Sequence, residues 1–247
     1  MNDNMKYNDN SRISLSVTGL KKTFVNGRYK QEILRNINFD VKKGEWVAIM
    51  GPSGSGKTTL LNILGLLDQN YEKGEIKVNG TSIKSLKSSR KALFRSKHIG
   101  MVFQNHFMIE TLTARENIEL PFIWSSDKIK TTEIKQKVDY AIEIVGLKDK
   151  VDLFPEELSG GEQQRFAIAR AIVNNPEVVL LDEPTGNLDT QTGKTVLSIF
   201  RLIASQGASI IMVTHDPEAA KLADRILLLK NGNIISLRTK TIKEVQN

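Results

Sequence analysis

The sequence predicts an α/β fold: a P-loop core accompanied by an antiparallel β lobe and an inserted helical lobe. Three observations predict it. The runs Trp46–Met50, Val178–Leu181 and Ser209–Val213 are nearly all apolar and each precedes a helical pattern, as strands buried on both faces of a parallel sheet do. Ile37, Phe39 and Val41 instead alternate with polar residues, the pattern of a half-exposed antiparallel strand. Between Trp46–Met50 and the apolar-periodic segment Leu60–Leu67 stands a glycine-rich loop, Gly51-Pro52-Ser53-Gly54-Ser55-Gly56-Lys57-Thr58.

Taken in order, residues 1–11 are rich in Asn and Asp, carry no apolar core, and are expected to be a disordered tail before a single domain spanning 12–247. Strands dominate next; Glu75–Val78 runs into Asn79-Gly80, a hairpin turn signal. Ile99–Phe103 is a further apolar strand. From about 105 to 174 helical signals prevail: Thr113 and Glu116 have capping-box spacing, and Val138, Ile142 and Val145 share one face before Gly146. This stretch is expected to be a helical insertion. The run Phe166–Val173 closes it, and Arg225–Lys230 is a strand followed by a second hairpin signal, Asn231-Gly232, and a polar tail.

Composition narrows the function class. The 247 residues include no cysteine, which excludes disulfides and thiolate metal sites and fits a reducing compartment. No apolar run approaches the roughly 20 residues of a membrane span. The formal net charge is +7. Lys84, Lys87, Arg90, Lys91, Arg95 and Lys97 have no interleaved aromatic platforms, so a solvated face is favoured, attraction to an anionic membrane surface is the alternative, and no nucleic-acid partner is expected.

The loop carries the chemistry. Its glycines let backbone N–H groups of Ser53, Gly54, Ser55 and Gly56 wrap a phosphate at a helix N-terminus, with Thr59 at the start of that helix. Lys57 is placed to reach β and γ phosphates, and the Thr58 hydroxyl to ligate Mg²⁺. Val178–Leu181 ends in Asp182, the form of a second Mg²⁺-side ligand, and Glu183 follows as a carboxylate able to polarise water; taken alone it reads equally as a surface acid before Pro184. His215, after its own apolar strand, is a candidate to orient Glu183, or else a helix-start residue. Gln104 is a candidate Mg²⁺ ligand through its amide oxygen, or an ordinary strand-end amide. Leu158-Ser159-Gly160-Gly161-Glu162-Gln163-Gln164-Arg165 reads as a helix cap, Ser159 with Glu162, and as a second anion-binding surface.

The P-loop, Gln104, the LSGGEQ element, Val178–Glu183, Asn187-Leu188-Asp189 and His215, in this order, resemble the ABC transporter ATPase family over nearly the whole chain. The resemblance implies a RecA-like core, ATP and Mg²⁺ as cofactors, ATP hydrolysis, and a head-to-tail homodimer with two ATP molecules at the seam. In it Ser159, Gly160 and Gly161 would contact the γ phosphate bound by the other subunit, with Asp189 near the same seam. Phe24 would stack on adenine, with Tyr29 the competing candidate. Gly65-Leu66-Leu67-Asp68, Glu116–Pro121 and Asp182–Asp189 are similar to the lipoprotein-release, macrolide-export and antimicrobial-peptide-resistance subgroup. That implies a separate transmembrane permease, export of peptide, lipid or drug, and a place on the cytoplasmic face of the cell membrane. Phe107, Met108 and Leu112 then face the permease or belong to the core of the helical lobe. Two alternatives remain: an ATPase subunit of a mechanotransmission or signalling complex, and a soluble ABC ATPase acting on nucleic acid or ribosomes.

Overall fold

Strand β3 (Trp46–Met50) shows why its sequence is apolar without interruption: Trp46 and Ala48 face one hydrophobic core, while Val47 and Ile49 face another. The same division holds for β7 (Val178–Asp182) and β8 (Ser209–Val213), so each of these strands is buried on both faces. The computed structural model describes residues 13–27, 29–123 and 129–239. The expected N-terminal tail lies outside them.

Two sheets are present. A four-stranded antiparallel sheet has the order β2-β1-β4-β5, from β1 (Ile13–Asn26), β2 (Tyr29–Lys42), β4 (Lys73–Val78) and β5 (Thr81–Ser82). Ile37, Phe39 and Val41 all point into its core, as their alternation predicts. A six-stranded sheet has the order β10-β9-β3-β8-β7-β6, adding β6 (Ile99–Val102), β9 (Arg225–Lys230) and β10 (Asn233–Thr239). Its β9, β3, β8, β7 and β6 run parallel, and β10 pairs antiparallel with β9 across Asn231-Gly232.

One core joins the antiparallel sheet to helix α1 (Lys57–Leu64) and one face of the parallel sheet, through residues such as Leu15, Ile37, Leu60 and Ile211. The other lies beneath α3 (Ala114–Ile123), α4 (Thr131–Val145), α5 (Gly160–Ile172) and α6 (Thr190–Ser205). Glu116 caps α3 by accepting from the Thr113 backbone and hydroxyl at 2.8 and 2.9 Å, and Gly146 ends α4 in the left-handed region at φ 67°. A five-residue helix, α7 (Pro217–Lys221), follows the Asp216 cap.

Three elements depart from the sequence reading. Strand β6 stops at Val102, leaving Phe103 and Gln104 beyond it. Helix α1 ends at Leu64 because Gly65 caps it and Leu66 turns to φ 59°, so Leu66 and Leu67 leave the helical path. An additional helix, α2 (Ser88–His98), precedes β6 and buries none of its residues, which is why no apolar periodicity announced it.

Candidate functional site

Because β3, β6, β7 and β8 are parallel, their carboxyl ends lie along one edge of the sheet, where α/β folds present their sites. The P-loop leaves β3 there, Gln104 stands beyond β6, Asp182 ends β7, and His215 follows β8. Residues far apart in sequence are therefore gathered by topology.

The loop is built for close approach. Gly54 and Gly56 sit at φ 75° and 99°, which side chains seldom tolerate, and a Cβ on Gly51 would stand 2.3 Å from the Leu229 carbonyl oxygen. Lys57 Nζ folds over the loop and donates to the carbonyls of Gly51 at 2.9 Å and Pro52 at 3.1 Å. Ser55 is buried with its Oγ unpartnered. A cradle holding a mobile ammonium and an orphaned hydroxyl fits an anionic oxygen ligand. Residues Pro52–Ser55, Gln31–Ile33, Arg35, Asn231 and Gly232 enclose a recess of about 320 Å³ beside it.

Asp182 is half-buried, and its carboxyl is pushed above the usual range, first by burial and then by the neighbouring charge of Glu183. The Thr58 hydroxyl donates to it and Lys57 attracts it, both opposing that rise. Among the described residues no group of three His, Cys, Asp or Glu side chains could cage a metal. A carboxylate and a hydroxyl beside a phosphate seat nevertheless suit Mg²⁺, which keeps water and phosphate oxygens in its remaining positions.

Glu183 adopts φ 46°, unusual for a non-glycine residue, while its N–H donates to the Val213 carbonyl at 3.0 Å. Its Oε2 lies 2.7 Å from His215 Nδ1, and His215 is the more exposed of the two. The backbone of Glu183 is thus held by β8 and its carboxylate by an imidazole. Gln104 Nε2 donates to Asn187 Oδ1 at 3.2 Å.

Ser159 caps α5, and Gly160 and Gly161 open it. Glu162 Oε2 accepts from the Ser159 N–H at 2.9 Å, and its Oε1 pairs with Lys150 at 2.5 Å, which together hold its pKa down to about 2. Gly161 is packed so that a Cβ would stand 2.4 Å from Thr192 Cγ2. Asp189 caps α6 by accepting from the N–H groups of Gln191 and Thr192, and its pKa is held low first by the Thr192 hydroxyl and then by these N–H groups. Phe24 is half-exposed on β1 opposite Gln31, with the Lys22 ammonium 4.9 Å from its ring centroid, while Tyr29 is almost fully exposed.

Sequence reasoning missed the polar ties behind these residues. Buried Gln164 donates to the Pro184 carbonyl at 2.9 Å and contacts His106 Nδ1 at 2.5 Å. Arg170 donates to the carbonyls of His106 and Phe107, both at 2.7 Å. The signal lay only in polar residues at inward positions of α5, indistinguishable in sequence from a solvated face.

Comparison with known proteins agrees with this geometry. Residues 34–186 match the family model described as ABC transporter. The chain is 45% identical over 219 residues to an uncharacterized ABC transporter ATP-binding protein, MJ1508, of Methanocaldococcus jannaschii, covering 89% of this chain and 96% of that one. It is 42% identical to YknY of Bacillus subtilis, an uncharacterized ABC transporter ATP-binding protein, over 90% of this chain and 95% of that one. It is 43% identical to the macrolide export ATP-binding/permease protein MacB of Rhodopirellula baltica over 88% of this chain, spanning 32% of that longer protein. Among solved structures, the ATP-binding cassette MJ0796, dimeric and bound to ADP and Pi in a post-hydrolysis state, superposes with a TM-score of 0.81 at 37% identity, covering 92% of this chain and all of that one.

Proposed function

Since the chain belongs to the ABC transporter family, as a relative of its ATP-binding proteins, we propose that it is the ATP-hydrolysing subunit that drives a separate transmembrane permease, an exporter of peptide, lipid or drug. The observation that carries the hydrolytic reading is the Glu183–His215 pair, 2.7 Å apart at the sheet edge that also bears the P-loop. Two copies close head to tail on ATP, and the Ser159–Gly161 segment of one contacts the γ phosphate seated in the P-loop of the other. ATP favours the closed pair because its γ phosphate contacts both copies, and ADP lacks it. The dimeric form of MJ0796 and its bound ADP and Pi support this reading.

In the closed pair, Ser53, Gly54, Ser55, Gly56 and Thr59 cradle the phosphates, and Lys57 exchanges the Gly51 and Pro52 carbonyls for phosphate oxygens. Thr58, Asp182 and Gln104 would hold Mg²⁺, which would offset phosphate charge. Glu183 takes the proton of the attacking water, with His215 orienting it. Asp189 borders the seam and Phe24, steadied by Lys22, stacks on adenine. Phe107, Met108 and Leu112 meet the permease beside a groove lined by Leu67, Phe103, Ile109 and Pro121. The MacB relative, named as an export protein with its permease in the same chain, supports an exporter partner.

The test measures ATP turnover and ATP-dependent dimerisation of the wild type and Glu183→Gln, with and without co-purified membrane partner. Loss of a general base costs about 10²–10⁴-fold in turnover. The variant is expected to bind ATP, turn over at least 100-fold more slowly and accumulate as a dimer. Near-normal turnover would remove Glu183 from this role.

A further inference from the structure

Between Thr81 and Ile109 the chain carries six lysines and arginines and no aspartate or glutamate, which accounts for +6 of the formal net charge of +7. The basic residues are concentrated on and just before α2, the helix that buries none of its residues. Lys84, Lys87 and Arg90 are exposed and Lys91 is half-exposed. Their contacts leave the charge in place: Lys91 donates to the amide oxygen of Gln69 at 3.0 Å, and Lys84 stands 5.4 Å from the Tyr71 ring centroid. Among the described residues no carboxylate pairs with any of these four, whereas Lys21, Lys22, Lys77, Lys137 and Lys150 elsewhere each have one.

The geometry points to an electrostatic seat for the head groups of an anionic phospholipid surface, formed by Lys84, Lys87, Arg90 and Lys91. Arg90 and Lys91 on the first turn of α2, with Lys84 and Lys87 just before it, present charge without a cavity. Such a surface fits a diffuse sheet of phosphates better than one enclosed ligand. An apolar groove adjoins it: Arg95 and Ser96 of α2 line one wall, with Leu67, Phe103, Ile109 and Pro121 around them. Leu67 and Ile109 are each nearly half exposed, and the groove they line shares α2 with Arg90 and Lys91, so cationic and apolar surface are carried by one element. The proposed function supplies only the expectation that this groove lies towards the membrane, and the lipid contact can fail while ATP hydrolysis stands.

The full chain is sedimented with vesicles of phosphatidylcholine alone, and with vesicles containing about one third phosphatidylglycerol. One lysine near an anionic surface contributes roughly fivefold to partitioning. Wild type is expected to favour the anionic vesicles at least tenfold, with the preference falling as salt rises. Replacing Lys84, Lys87, Arg90 and Lys91 with serine should abolish that preference and leave ATP turnover in solution unchanged. A second variant removes the same charge elsewhere by replacing Lys43, Lys73, Lys135 and Lys148 with serine, and should keep at least half of it. Equal losses in the two variants would show that net charge alone is responsible and overturn the proposal. So would indifference to lipid charge, or binding of single-stranded RNA through these four residues with none to the vesicles.

Discussion

Glu162 illustrates how a single side chain joins local chemistry to stability. Its carboxylate accepts from the Ser159 N–H and pairs with Lys150, and its pKa falls from the usual 4.5 to about 2. A depressed carboxylate stabilises the folded state fully above about pH 4.5, and that stabilisation is lost as pH falls from there towards 2. Glu162→Gln should therefore be less stable than wild type at pH 7, with the gap closing as pH approaches 2; a gap independent of pH in denaturant melts would contradict this. Glu162 was legible as a cap from its spacing to Ser159, but its Lys150 partner was not. Gln164 and His106 were equally hidden, because Gln164 of α5 meets His106 in the chain beyond β6 and the Pro184 carbonyl beyond β7. Glu183 and His215 were candidates in sequence through their place after apolar strands, while their 2.7 Å contact required the adjacency of β7 and β8.

At the scale of elements, the P-loop is confined by a neighbouring strand as well as by its own glycines. Any side chain on Gly51 meets the Leu229 carbonyl of β9 at 2.3 Å, and backbone has little room to yield. Gly51→Ala should lower stability by about 1–3 kcal/mol, the usual cost of overpacking, and weaken ATP binding. Unchanged melting temperature and unchanged ATP affinity would show that the loop has slack here. Strands β3, β7 and β8 were readable because buried strands facing two cores need unbroken apolar runs. The helix α2 was not, since none of its residues is buried and Phe94 alone packs against a core. The end of α1 was read too late: Leu66 and Leu67 continue the apolar pattern after the backbone has left the helix.

Across the whole molecule, the antiparallel sheet shares a continuous core with α1 and one face of the parallel sheet. Ser209 of β8 contacts Ser14 of β1 and donates to the Lys42 carbonyl, tying the two sheets also where these strands begin. Neither sheet can lose its partner without exposing residues such as Leu15, Ile37 and Ile211, each fully buried now. Thermal unfolding should accordingly be a single transition by far-ultraviolet dichroism and by tryptophan fluorescence, with Trp46 reporting the parallel sheet. Two resolved midpoints would mean that the lobes unfold separately. The turn at Asn231-Gly232 has a different consequence. It lines the recess beside the P-loop, and the Gly232 carbonyl accepts from the Arg35 N–H at 2.8 Å, so one wall of the phosphate seat is made some 180 residues after the loop itself. During synthesis the loop therefore emerges from the ribosome long before this wall, and a growing chain offers nucleotide no finished recess until Gly232 has been translated.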